Sequence, residues 1–132
     1  MNERPGSGLR LLHVEDDSAT RAVARIALAQ VGGFELLSCA GGAEALSAAP
    51  AFDPHILLLD VMMPGMDGPT TLSRLAGAMP MTGRLVLFMT AKVQPSDLER
   101  YRELGAGGVV MKPFDAMRLH RSVLEHWETL CG

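Results

Sequence analysis

Two hydrophobic rhythms take turns along the chain. Short unbroken apolar runs, such as "ILLL" and "LVLFM", alternate with longer stretches whose apolar residues recur every three or four positions. The first rhythm predicts buried strands and the second predicts amphipathic helices. Strands are expected at 9–14, 34–39, 55–59, 85–89 and 108–111. Helices are expected at 18–31, 42–49, 69–78, 96–104 and 115–130. Gly32 and Gly33 end the first helix, Pro50 closes the second, and Gly77 and Pro80 end the third. Ser96 and Glu99 have capping-box spacing at the start of the fourth. Asp115 is the expected N-cap of the last. Val23, Ile26, Ala27 and Gln30 or Val31 make the inward stripe of the first helix. Leu119, Val123, Trp127 and Leu130 make that of the last.

A strand followed by a helix, five times over, implies an α/β fold with a parallel sheet covered on both faces. Right-handed crossovers then give a single doubly wound (βα)5 three-layer sandwich on a five-stranded parallel sheet. Such sheets bind ligands at the carboxyl ends of their strands. Those ends are chemically loaded here. Strand one runs into Glu15-Asp16-Asp17, strand three into Asp60, strand four into Thr90 and strand five into Lys112.

Length and composition narrow the setting. The 132 residues suit one domain. Residues 1–8 read as a disordered lead-in and 9–130 as the domain. A net charge of −3 does not recommend nucleic acid as a direct partner. No apolar run approaches the roughly 20 residues needed to span a bilayer, and MNERPGSG is not a secretory signal. Cys39 and Cys131 show no metal-ligand spacing, so a reduced, cytoplasmic setting is expected. Cys39 reads as a buried strand residue. His13, inside strand one, reads as a packed, hydrogen-bonded histidine.

Clustered carboxylates repel unless a cation or proton intervenes. A set of hard oxygen ligands without His or Cys suits Mg²⁺. Lys112 can neutralise an acid or grip a phosphoryl oxygen, and Thr90 can donate to the same oxygens. A carboxylate beside Mg²⁺, Lys and Thr is a candidate nucleophile for phosphoryl transfer. The bland alternatives are that Asp60 caps a turn, Thr90 merely ends a strand, and Lys112 is a surface lysine. They explain the residues singly but not their placement on one rim. For Asp17 or Ser18, capping of the first helix is the preferred reading.

"LLHVEDDSATR", "ILLLDVMMPGMDG", "LVLFMTAK" and "VVMKPF" together resemble the receiver domain of two-component response regulators, with its CheY-like, flavodoxin-like fold. The likeness runs from about Leu9 to Leu130. Separations of 44, 30 and 22 residues between Asp16, Asp60, Thr90 and Lys112 in turn are similar to that family's. The resemblance implies that Asp60 is the phosphoacceptor. It implies that Glu15, Asp16, Asp60 and the Met62 backbone carbonyl hold Mg²⁺. Thr90 would be the switch hydroxyl and Lys112 its partner at the phosphoryl group, with a cis Lys112–Pro113 bond. Pro64 and Gly68 would shape the loop after Asp60. The donor would be a histidine kinase or a histidine phosphotransfer protein.

Departures from the family matter too. Val109 stands where the family often has an aromatic, so Thr90 and Val109 form a switch without a rotating ring. Met62 and Lys92 supply no base for attacking water, which implies slow self-dephosphorylation. Arg118 replaces an acid used for dimerisation by a DNA-binding subfamily. A monomer or weak dimer is expected. The chain reads as a phosphoacceptor that promotes its own phosphorylation, not as an enzyme. Output would pass to a downstream protein effector through helix four, strand five and helix five, since no effector domain follows Gly132. A fragment of a longer regulator and a phosphorylation-independent docking module are the alternatives. A phosphohydrolase resembling haloacid dehalogenases would want an acid where Met62 stands.

Overall fold

The computed structural model describes residues 3–132; Met1 and Asn2 lie outside them. Five parallel strands are present: β1 (Arg10–Val14), β2 (Glu35–Cys39), β3 (Ile56–Asp60), β4 (Leu85–Thr90) and β5 (Gly108–Met111). They form one sheet in the order β2-β1-β3-β4-β5. The order reverses between β1 and β3, which pair directly. That junction is where a doubly wound sheet opens a crevice at its carboxyl edge.

Alternation along each strand sends side chains into two cores. On one face Leu12, Val14, Leu57, Leu59, Val86 and Phe88 pack under α2 (Gly42–Phe52), α3 (Gly68–Ala78) and α4 (Pro95–Glu103). On the other, Leu11, Ile56, Leu58, Leu85, Leu87 and Met89 pack under α1 (Ser18–Arg25) and α5 (Leu119–Cys131). β3 and β4 are buried along their whole length, because both of their faces are covered. This is the expected three-layer α/β sandwich.

Several local expectations are corrected. The first helix continues beyond Arg25 as a π-helical segment, Ile26–Val31. Its buried residues are Ala24, Ala27 and Leu28, while Val23 and Ile26 are exposed. Small side chains let the helix lie close to the sheet, and the wider winding shifts the stripe away from a 3.6 period. α2 runs through Pro50 to Phe52, since a proline in the last turn forfeits one hydrogen bond without ending the helix. At α4, Pro95 occupies the first turn, so the cap lies at Gln94, whose N–H donates to the Asp97 carboxylate at 3.2 Å. The Ser96–Glu99 box does not form.

α5 begins at Leu119, not at Asp115. Asp115 instead closes a turn, with its carboxylate accepting from the Met117 N–H at 2.9 Å. Leu130 is exposed, and Trp127 packs half-buried, edge-on to His55. Residues 5–8 form a turn beside the end of the first helix. There the Arg4 guanidinium donates to the Gln30 carbonyl at 2.8 Å and the Gly6 N–H to the Gly32 carbonyl at 2.6 Å.

Candidate functional site

Glu15 follows the last residue of β1 and is fully buried. Its N–H continues the sheet by donating to the Cys39 carbonyl at 3.0 Å. Asp16 stands exposed beside it. Asp17 then caps α1, accepting from the Thr20 N–H at 2.9 Å and the Thr20 hydroxyl at 2.6 Å. Arg21, one turn into that helix, donates to the Glu15 and Asp16 carbonyls at 2.8 and 3.0 Å. The acidic turn is therefore pinned by a residue for which no role was expected. "EDDSATR" contains the signal, since an arginine one turn after an N-cap can reach back to the preceding loop.

Asp60 is the last residue of β3, within the strand, and is 3 % exposed. The chain turns sharply after it, and Gly68 closes the loop by donating to the Val61 carbonyl at 3.0 Å. A Cβ at Gly68 would run into the Asp60 carbonyl oxygen. Glycine is required there by this close approach, as the resemblance implied in general terms.

Because β1 and β3 are neighbours, the carboxylates of Glu15, Asp16 and Asp60 meet. One oxygen from each lies within 4.8 Å of the other two. Lys112, just past β5, reaches across the sheet to them. Its ammonium lies 2.6 Å from Glu15 Oε1 and 3.0 Å from Asp60 Oδ1. Burial, and then the facing Asp60, push the Glu15 carboxyl up, against the pull of Lys112. Burial works against the charge on Lys112, but the two carboxylates outweigh it and raise the ammonium above its usual range. The Lys112–Pro113 bond is cis.

The donor set fits a hard divalent cation. Three carboxylates converge, and the buried Oε2 of Glu15 has no hydrogen-bond partner among the described residues. One ammonium cannot satisfy three acids by charge or by hydrogen-bond number.

The other expected residues stand further out. Thr90 ends β4 at the rim, but its hydroxyl engages its own loop, 3.2 Å from the Lys92 carbonyl and 3.3 Å from the Lys92 N–H. It makes no hydrogen bond to Asp60. Val109 lies half-buried on the edge strand β5, in register with Phe88. The Met62 side chain is 77 % exposed, while Met63 is buried. Cys39 is buried as expected, and burial pushes its thiol up to about 11. His13 is buried as expected, and neither of its ring nitrogens has a hydrogen-bond partner among the described residues.

Comparison with known proteins gives this arrangement its family. The model of the "Response regulator receiver domain" matches residues 11–124. A protein-glutamate methylesterase/protein-glutamine glutaminase of Rhodopseudomonas palustris is 36% identical over 80% of this chain, which covers 28% of that protein. The transcriptional activator protein IrlR of Burkholderia pseudomallei is 38% identical over 84% of this chain, covering 47% of that protein. The chain thus spans less than half the length of these relatives. Among solved structures, the chemotaxis protein CheY4 of Vibrio cholerae superposes with a TM-score of 0.82. The two are 26% identical, and the match covers 89% of this chain and 97% of that one. The fold, the rim and the sequence matches agree: the chain belongs to the response regulator receiver domain family.

Proposed function

We propose that this chain is a phosphoacceptor in a two-component relay, with Asp60 as the residue that takes the phosphoryl group. The observation that carries the reading is the Lys112 ammonium held between Glu15 and Asp60 at 2.6 and 3.0 Å. A lysine so placed pairs with the Asp60 carboxylate and stands where it can pair with a phosphoryl oxygen once the acid is esterified.

Receiver domains typically bind Mg²⁺ at such an acidic cluster. In this chain Glu15, Asp16, Asp60 and the Met62 carbonyl would hold it. When bound, the ion offsets negative charge on the transferring phosphoryl group. The residues do the rest. A carboxylate oxygen of Asp60 attacks phosphorus in line, and a P–O bond forms. The P–N bond of a donor phosphohistidine breaks, and its electron pair stays on the imidazole nitrogen. Lys112 neutralises charge on the equatorial oxygens. The Thr90 hydroxyl leaves Lys92 to donate to one of those oxygens.

The partners on this reading are a histidine kinase or a histidine phosphotransfer protein upstream, and a protein effector downstream that reads the face of α4, β5 and α5. The chain accepts the group and does not turn over a substrate. The methylesterase named among its relatives is covered for little more than a quarter of its length. No helix among the described residues is long and apolar enough to cross a membrane.

Acetyl phosphate replaces the kinase in the test, its P–O bond breaking to release acetate. Intact mass should rise by about 80 Da with Mg²⁺ present, and should not rise with EDTA or in Asp60→Asn, as expected for a covalent carboxyl phosphate. A gain that survives Asp60→Asn refutes the assignment. If neither acetyl phosphate nor a promiscuous histidine kinase produces a gain, the phosphorylation-independent docking alternative replaces it.

A further inference from the structure

The loop between Asp60 and α3 holds three methionines in three different surroundings. Met62 is exposed and Met63 is buried in the core beneath α3. Met66 is half-buried, at the place where the loop meets α2. A Cβ on Gly42, the first residue of that helix, would come within 2.6 Å of Met66 Sδ and 2.5 Å of Thr71 Oγ1. The sulfur therefore rests against the α2 backbone, in a seat that has no room for one more heavy atom on that side. Its other side is open. A solvent-open cavity of about 470 Å³ lies beside it, lined among others by Gly41, Pro64, Gly65, Met66 and Arg74. A thioether is thus held in a close-fitting contact and is reachable by a small polar reagent.

We propose that Met66 is a redox modification site: a hydroperoxide entering this cavity oxidises its thioether to the sulfoxide, which unseats the loop after Asp60 and slows phosphoryl acceptance. With hydrogen peroxide, a sulfur lone pair attacks one peroxide oxygen, an S–O bond forms and the O–O bond breaks. The sulfur loses two electrons, the peroxide gains them, and water leaves after proton transfer. The product is polar and one oxygen larger. Gly42 offers only backbone on its side of the contact, so it cannot yield to that oxygen. The oxygen turns toward the cavity, and the sulfur leaves α2 with it. The loop that shifts carries the Met62 carbonyl, a proposed Mg²⁺ ligand. The modification and the loop response stand by themselves, while the effect on acceptance rests on the phosphoacceptor reading.

Peptide mapping after mild hydrogen peroxide treatment reads the modification. Amide hydrogen exchange across residues 61–68, without Mg²⁺ or acetyl phosphate, reads the loop. Met66 should gain about 16 Da, one oxygen atom. Exchange across the loop should then be at least fivefold faster, and labelling by acetyl phosphate with Mg²⁺ at least fivefold slower. Met66→Leu keeps an apolar side chain of similar size without the sulfur. It should match the untreated wild type before peroxide and stay unchanged after it, although the exposed Met62, Met111 and Met117 are still oxidised. Methionine sulfoxide reductases for the two sulfur epimers should together restore the treated wild type.

A Met66 that stays unoxidised while Met62 and Met117 are oxidised overturns the inference. So does an oxidised Met66 with unchanged loop exchange or unchanged labelling. A treated Met66→Leu that loosens as much as the wild type also overturns it, because the exposed methionines would then carry the effect. An untreated wild type that takes no phosphoryl group, with the loop response intact, overturns the phosphoacceptor reading and leaves the modification site standing. Should Met66→Leu fail to fold, Gly42→Ala is the second variant. Its methyl group displaces the sulfur as the oxygen would, so loop exchange should be fast before peroxide and rise no further after it. Slow exchange in that variant overturns the seat.

Discussion

His13 yields a quantitative prediction about the strand that carries Glu15 to the rim. It is fully buried in β1, and neither ring nitrogen has a hydrogen-bond partner among the described residues. Burial, opposed in part by Glu15, brings its imidazole down from 6.5 to about 4. Well above pH 6.5 the ring is neutral in both the folded and unfolded chain, and it adds no pH dependence. As the pH falls below that value, the unfolded chain takes up a proton that the folded protein refuses. Stability is then lost at about 1.4 kcal/mol per pH unit, until the folded ring also titrates. Down to about pH 4 the loss attributable to His13 is about 3 kcal/mol.

His13→Leu removes the titration at nearly constant volume. At about pH 7 the variant should be more stable than the wild type by about 1 kcal/mol, because two unpaired polar atoms no longer have to be desolvated. At about pH 5 the gap should widen by about 2 kcal/mol. Urea unfolding followed by Trp127 fluorescence measures both, and the difference between the two proteins cancels the carboxylates they share. A gap that is the same at both pH values would refute the reasoning. So would a resonance assigned to the His13 imidazole of the folded protein that titrates near 6.5.

The remaining predictions concern the rim. Gly68→Ala forces a methyl group against the Asp60 carbonyl; it should cost about 1–3 kcal/mol in urea unfolding and slow labelling by acetyl phosphate, because backbone cannot yield as a side chain would. A variant that labels at the wild-type rate would contradict the close approach. Lys112→Met leaves Glu15 and Asp60 buried without their ammonium; the unpaired charge should cost about 3 kcal/mol. Mg²⁺ should then raise the melting temperature of this variant more than that of the wild type, as calorimetry with Mg²⁺ against EDTA would show. Arg21→Leu frees the Glu15 and Asp16 carbonyls; Mg²⁺ affinity by titration should fall severalfold while the fold, read by circular dichroism, is kept.

How much of this was legible beforehand follows from the reach of each interaction. The five strands, five helices and parallel sheet could be read from the chain, because period and run length are local consequences of where each residue faces. The loading of acids, hydroxyl and lysine at the strand ends was legible for the same reason, as was Asp17 capping α1. Terminal details failed where a local signal had a competitor. Pro95 moved the cap of α4 to Gln94, the turn closed by Asp115 delayed α5 to Leu119, and the first helix passed into wider winding at Ile26.

What the sequence determined by itself is therefore an alternating α/β chain with a reactive rim and a receiver's set of motifs. What only the tertiary structure decided is how that rim is wired. Lys112 sits on Glu15 as well as Asp60, Arg21 pins the acidic turn, and Thr90 holds Lys92 in place of Asp60. The Lys112–Glu15 pair spans 97 positions of the chain. No periodicity or cap carries information over that distance; it exists only once the sheet order sets β1 beside β3 and brings β5 within a lysine's reach.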